Sequence, residues 1–322
     1  MAAIAACAKR VAPGWLAVAV VGVCAACGAS GSGAATESPP APTPTPTSAA
    51  ALRLPFDAYA LSDAQEAVDE YLGLFLEKSC MTKLGFSFLP GLDAGYVTRN
   101  ARTFVEFDSR LWGISDPAQA GRYGYHLPPW VQGAPNSRSQ SLGSLPPGEQ
   151  VALLGVQLTG HPAQPGSGST SGRPSGVPVG GCRGQAQREV AAAGVGQVDQ
   201  TAALVAQLRL KSFERAQADP RVLKVFAAWS SCMRGSGYLY PTPFKPTFNM
   251  AAPPTALEVK TARADVACKY RTNLLGVAYA VQADYQNALI ESNAQRLAVI
   301  KAQVKGQQQA LAAAEAKYGI AG

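Results

Sequence analysis

Apolar residues recur at helical spacing through most of this chain. In residues 62–83, Leu72, Phe75, Leu76 and Ser79 share one face, with Ser62 and Asp63 as caps, which predicts a helix ending near Gly85. Residues 104–114 keep a helical pattern, and Asp116-Pro117 reads as a helix start with proline in the first turn. Residues 128–147 read as loop, 148–155 as one short helix, and 161–181 as a surface excursion with no core-forming period. After Cys182 the helical signal strengthens. Residues 183–193, 198–218 and 220–234 are each bounded by Gly, Asp or Pro, and the last puts Val222, Val225, Phe226 and Trp229 on one face. An extended, proline-rich stretch, 237–248, follows.

The remainder, from Pro254 and Thr255 to Tyr318, reads as one long helix, about 95 Å if unbroken at 1.5 Å per residue, with Gly276 and Gly306 as possible kinks. Ile290, Leu297, Val304 and Leu311 recur every seven residues within it. Ile300 and Ala314 supply part of a second seam, which Asn293 and Gln307 interrupt. Such a stripe suits self-association through the C-terminal helix, a partner helix, or the earlier helices of the same chain. Packing within the chain, or a protruding antiparallel arm, is the plainer reading.

Two segments of the chain are alike. "YLGLFLEKSCMTKLGFSFLP" and "VFAAWSSCMRGSGYLYPTPF" align without gaps, so that Cys80 and Cys232, Met81 and Met233, Gly85 and Gly237, Phe86 and Tyr238, and Phe88 and Tyr240 keep one offset of 152 residues. Each follows a helical stretch, each reaches a glycine suited to a positive φ, and each has a further cysteine downstream, Cys182 and Cys268. A duplicated unit closed by its own bridge favours Cys80–Cys182 and Cys232–Cys268, although the sequence leaves the other two connectivities open.

The amino terminus carries a different signal. Lys9 and Arg10 precede an apolar run of sixteen residues, Val11 to Ala26, which contains Pro13 and Gly14 and is short of the roughly twenty residues a spanning helix needs. Ala25, Ala26 and Cys27 then resemble the lipobox of bacterial lipoproteins. That resemblance implies a leader of residues 1–26, lipid attachment at Cys27 and a membrane partner through the acyl chains, two or three of which give stable anchoring. Residues 27–52, rich in Pro, Thr, Ser, Ala and Gly, read as a tether that buries no core. Residues 53–197 form an expected first helical unit with long loops, and 198–322 a second with the long terminal helix. The fold class expected is mainly α, with two degenerate disulfide-linked helical units and few if any strands.

Charge and chemistry narrow the function less. The whole chain is +7 at pH 7; without Lys9 and Arg10, 26 basic residues face 21 acidic ones. No run of five like charges marks a docking patch, and no nucleic-acid partner is expected. With Cys7 and Cys24 in the leader and Cys27 acylated, four cysteines remain, an even number suited to disulfides in an exported chain. They lack CxxC spacing and the chain has only His126 and His161, so neither a metal nor a cofactor is expected. GxSxG, HExxH, P-loop and EF-hand patterns are absent, and "GVGQVD" lacks the third glycine of a dinucleotide turn. His126 is the one candidate general base, with Asp116 ten residues upstream; a hydrogen-bonded structural histidine is the plainer reading. Two aromatic, proline-rich loops form weak candidate binding surfaces, one with Tyr123, Tyr125, His126 and Trp130, the other with Tyr238, Tyr240, Phe244 and Phe248. Exposed, they would suit sugar rings or extended peptide; buried, they would seal the ends of the tethered helices.

The elements "WSSCMRGSGY" (Trp229–Tyr238) and "ADVACK" (Ala264–Lys269), with "WGISDPAQAGRYGYHLP" and the long tail, resemble a group of exported actinobacterial lipoproteins. The resemblance implies an architecture and a location at the outer face of the cytoplasmic membrane, and no particular reaction. The expectation is a membrane-anchored, extracytoplasmic, non-catalytic binding or scaffolding module that meets a cell-wall polymer or envelope protein. The alternative is a wall-modifying hydrolase working from His126 and a nearby carboxylate.

Overall fold

The structure, a computed structural model, describes residues 43–89, 92, 93, 95–132, 142, 145–156, 176–195 and 199–320. The leader, Cys27, the start of the tether and residues 161–175 of the surface excursion lie outside the described residues. Eleven α-helices occur among those described, and no strand does. In chain order they are α1 (Asp63–Lys83), α2 (Tyr96–Ser109), α3 (Pro117–Tyr123), α4 (Pro129–Gln132), α5 (Pro147–Leu154), α6 (Gly181–Ala192), α7 (Asp199–Ala218), α8 (Pro220–Gly235), α9 (Ala256–Arg271), α10 (Leu274–Ser292) and α11 (Ala294–Tyr318).

Local chemistry sets many of these ends. Ser62 Oγ accepts from Gln65 N at 3.3 Å while Gln65 Oε1 accepts from Ser62 N at 3.0 Å, a capping box that starts α1. Asp219 caps α8 through Arg221 N, with Pro220 in the first position. The repeated cysteine segments end alike. Phe86 N bonds Met81 O and Gly85 N bonds Thr82 O after α1, and Tyr238 N bonds Met233 O and Gly237 N bonds Arg234 O after α8, all at 3.0 Å. Gly85 (φ 86°) and Gly237 (φ 88°) hold the left-handed position that this double bond requires.

Both disulfides join the pairs that the duplication favoured, Cys80–Cys182 and Cys232–Cys268, with Cα atoms 5.5 and 5.7 Å apart. The copies diverge beyond that point. Cys182 lies in the first turn of α6, whereas Cys268 lies in the last turn of α9.

Three expectations change. The terminal helix is not continuous: Asn273, in the left-handed region at φ 51°, separates α9 from α10, and Asn293 separates α10 from α11. Gly276 and Gly306 lie inside helices. The tether joins the folded body from Pro44 onward. Pro44 O accepts from Asn273 Nδ2 at 3.0 Å, Thr47 O accepts from Tyr270 Oη at 3.3 Å, and Ala49 is buried. Gly276 is what allows this approach, because a Cβ there would lie 1.9 Å from Pro44 O.

Finally, the boundary at 197/198 does not divide two cores. Trp112, from the chain after α2, is fully buried among Phe213, Phe226 and Phe244, with ring centroids 4.8–6.2 Å away, and its indole nitrogen donates to Gln282 Oε1 of α10 at 3.1 Å. The heptad stripe is buried within the same chain. Leu297, Ile300 and Val304 pack with Phe56, Val205, Leu208 and Leu289, while Leu311 and Ala314 pack with Val68, Leu72, Leu76 and Val97. At about 2 kcal/mol gross for each large aliphatic side chain, the stripe fastens α11 along both halves of the body. The apolar seam that suggested self-association is occupied.

Candidate functional site

The residues that carry the family resemblance converge on one buried polar cluster. Trp229 Nε1 on α8 donates to Asp265 Oδ1 on α9 at 2.9 Å, and Lys269 Nζ donates to Asp265 Oδ2 at 3.1 Å and to Ile114 O at 2.8 Å. Both charged side chains are fully buried, 0% exposed. Burial pushes the Asp265 carboxyl up and the Lys269 ammonium down, each opposed by its partner. With the Cys232–Cys268 bridge one helical turn away, the cluster ties α8, α9 and the 112–114 segment into one unit. Its polar groups face one another and the fold.

Tyr125 and His126 sit beside this cluster rather than on the surface. Glu258, in the first turn of α9, accepts from Tyr125 N at 2.9 Å, and its other oxygen lies 3.4 Å from His126 Nε2. His126 is 8% exposed and its Nε2 completes no hydrogen bond. Asp116, the carboxylate expected to serve His126, is the N-cap of α3 and accepts from Ala118 N and Gln119 N. The Tyr125 hydroxyl is buried near Asp265 without completing a hydrogen bond, and burial, reinforced by that carboxylate, raises its pKa strongly. The Tyr125 ring stacks on Phe248 with centroids 5.4 Å apart, which brings the two aromatic loops together. Trp130, on α4, lies under the Arg102 guanidinium at 4.1 Å. Tyr238 and Tyr240 are half-buried against the α8–α10 core, and Tyr240 O accepts from Ser230 Oγ at 2.7 Å. These aromatics seal helix ends.

A larger opening than any beside these residues lies elsewhere among the described residues. A cleft of about 630 Å³ runs between residues 49–66, the C-terminal half of α2, α7 and α10. Its floor is a row on α10, Tyr279, Gln282 and Gln286, spaced to share one face. Gln286 is committed, accepting from Phe56 N at 2.9 Å and donating to Ser212 Oγ at 3.3 Å. Gln282 Oε1 is taken by Trp112, which leaves its amide NH2 free of a partner among the described residues. Tyr279 is 6% exposed, and its hydroxyl has no hydrogen-bond partner among the described residues.

The walls carry Arg53, Asp57, Asp63, Glu66, Asp108 and Arg209, and the lip carries the exposed apolar side chains of Val105, Phe107 and Leu210. Both arginines are engaged by the chain itself. Arg53 Nη1 donates to Ala50 O and Leu52 O, at 2.7 and 2.9 Å, and Arg209 Nη2 donates to Phe56 O and Asp57 Oδ1, both at 3.2 Å. Asp63, Glu66 and Asp108 have no ion-pair partner among the described residues.

Water reaches these carboxylates, but the concave walls displace part of it. Desolvation therefore raises all three, and like charges add to it, Asp57 beside Asp63, Asp69 and Asp63 beside Glu66, and Asp63 beside Asp108, while Arg53 and Arg209 oppose it at Asp63 and Asp108 and Arg209 does so at Glu66. Burial, then Asp108 and Asp57, pushes Tyr279 up to about 12. Among the described residues no three His, Cys, Asp or Glu side chains lie close enough together to hold a metal ion.

None of the sequence-predicted binding aromatics lines this cleft. Its residues span positions 49 to 308 and share no motif. The one sequence signal near it is the return of charge at Arg53 and Asp57 after a charge-free stretch. Neither a protein-family model, nor a curated protein, nor a solved structure matches the chain.

Proposed function

We propose that the chain is a lipid-anchored, extracytoplasmic binding module without catalytic activity, held at the outer face of the cytoplasmic membrane through Cys27, that takes its ligand in the cleft between residues 49–66 and α10. The observation that carries this reading is the cleft floor, where Tyr279 and Gln282 present hydrogen-bonding capacity that the fold itself leaves unused. The leader with its lipobox-like cysteine supports export, and two disulfides suit an oxidising compartment. The ligand would be part of a wall polymer or an envelope protein. The hydrolase alternative relied on His126, which does not line this cleft.

The test places a photo-reactive p-benzoylphenylalanine at Phe107, 51% exposed on the cleft lip, or at Val299 on the exposed face of α11, in living cells. Envelope material crosslinked at position 107 and not at 299 is expected. Equal crosslinking at both, or none at 107, overturns the cleft as the binding seat. Mass spectrometry of the mature chain is expected to show an acylated Cys27, and an intact Met1 would refute the anchor.

A further inference from the structure

The cleft is chemically one-sided. Four carboxylates, Asp57, Asp63, Glu66 and Asp108, face two guanidiniums, Arg53 and Arg209, and Asp63, Glu66 and Asp108 form no ion pair among the described residues, while the guanidiniums donate to Ala50 O, Leu52 O, Phe56 O and Asp57. Asp63 and Glu66 lie in the first turn of α1, where the helix dipole favours them, whereas Asp108 lies at the C-terminal end of α2, where the dipole opposes it and Arg209 and Arg53 only partly offset the like charge of Asp63 and Asp57. The second observation is independent of charge. Tyr279 is more than nine-tenths buried, its phenol opens onto the floor next to Asp108 and Asp57, and no group of the protein accepts from it or donates to it among the described residues. A phenylalanine would fill the same core space without presenting a hydroxyl to the cleft.

We propose that the cleft binds an aliphatic ammonium group, presented as a lysine side chain on an extended polypeptide; this rests on reading the cleft as the ligand seat. The ammonium has three donors and no acceptor, which matches carboxylates and a phenol oxygen. Because no three of these carboxylates converge on one point, the ammonium is held by Asp108 together with the Tyr279 hydroxyl, and the other carboxylates act only through the sign of the cleft. Val105, Phe107 and Leu210 on the lip give the methylene stem an apolar surface to lie on. The free amide NH2 of Gln282 is a donor, useless to an ammonium and suited to a peptide carbonyl. A free polyamine supplies the same cation but no such carbonyl. Anionic ligands meet a cleft of the wrong sign.

Isothermal titration calorimetry of the purified full-length chain tests this with three probes: acetyl-Ala-Lys-Ala-amide, the same peptide with its lysine Nζ acetylated, and spermidine. Saturable one-site binding of the first is expected, weakened at least tenfold by lysine acetylation and exceeding that of spermidine. Asp108→Asn is expected to weaken it about tenfold and Tyr279→Phe about fivefold, with the thermal midpoint of Asp108→Asn no lower than that of the parent. Binding equal for lysine and acetyl-lysine, tighter binding of spermidine, or no binding overturns the proposal. Failure here with position-107 crosslinks intact removes the ammonium chemistry and leaves the cleft as a seat for something else. Lysine-peptide binding unchanged in both Asp108→Asn and Tyr279→Phe places the peptide outside the cleft and also overturns the proposal.

Discussion

Replacing Lys269 by Met tests the account of the buried cluster. The methionine keeps most of the side-chain volume but removes the only cation within 4 Å of Asp265 among the described residues, and it leaves Ile114 O without its Lys269 donor. A carboxylate stranded in this core will take up a proton. From an ordinary value of 3.8, protonation at pH 7 costs about 4 kcal/mol, at about 1.4 kcal/mol per pH unit. The lost hydrogen bond to Ile114 O adds about 1 kcal/mol. The total, about 5 kcal/mol, sits at the upper end of what breaking a buried pair costs and is a large share of a typical 5–15 kcal/mol stability.

The sign with pH follows from linkage. In the variant the folded state holds a proton that the unfolded state has lost above about pH 4, so the deficit against the parent is greatest at neutral pH and shrinks by about 1.4 kcal/mol for each unit the pH falls from 7 toward 4. Adding Asp265→Asn removes the charge yet keeps an oxygen that accepts from Trp229 Nε1, so the double variant should lie within about 2 kcal/mol of the parent. Urea unfolding followed by tryptophan fluorescence at pH 7 and pH 5 reads all of this. A loss under about 1 kcal/mol for Lys269→Met at pH 7, or the same loss at both pH values, would refute the buried ion pair.

Other perturbations separate the cleft, the tether and the bridges. Asp108→Asn or Glu66→Gln should raise stability at pH 7 by about 0.5 kcal/mol, the scale of an exposed like-charge contact. Their raised carboxyls make the parent gain stability as pH falls through them, and denaturant titrations at pH 7 and 5 should show that gain reduced in each variant. Gly276→Ala should favour the helix by up to about 1 kcal/mol while displacing Pro44; limited proteolysis is expected to cut residues 43–48 faster, and unchanged cleavage would contradict the docking of the tether. Removing Cys80–Cys182, with its separation of 102 residues, should cost more than removing Cys232–Cys268, separation 36, by about 1 kcal/mol of loop entropy. Paired Cys→Ser variants compared by denaturant midpoint would show the opposite order if native-state strain, not loop length, governs.

What the sequence revealed was local, and what it hid was tertiary. The caps at Ser62 and Asp219 and the glycine ends at Gly85 and Gly237 depend on a few neighbouring residues, so spacing alone exposed them. The same repeated segments favoured the disulfide pairing without excluding the other two, and the Cα separations decide it. The helix breaks went the other way. Gly276 and Gly306 were the obvious weak points, but a glycine inside a helix costs only about 1 kcal/mol, and Gly276 is required by a strand of tether 229 residues away from Asn273 in sequence. Asn273 tolerates the left-handed region because its short amide can bond locally or, here, reach Pro44 O.

The heptad stripe had three possible partners, and only the placement of Phe56, Val205 and Val68 decides among them. The same logic explains why the aromatic loops could be read two ways. Tyr125 and Phe248 are apolar rings flanked by prolines, which looks identical in sequence whether they face a ligand or each other. The cleft is built oppositely, from charged and amide side chains contributed by five separate parts of the chain, each unremarkable where it stands. Tyr279 shows the distinction most clearly: it lies in a helix buried nearly all round, where a phenylalanine would serve the core equally well, and only its unused hydroxyl and the carboxylates around it separate a packing residue from a binding one.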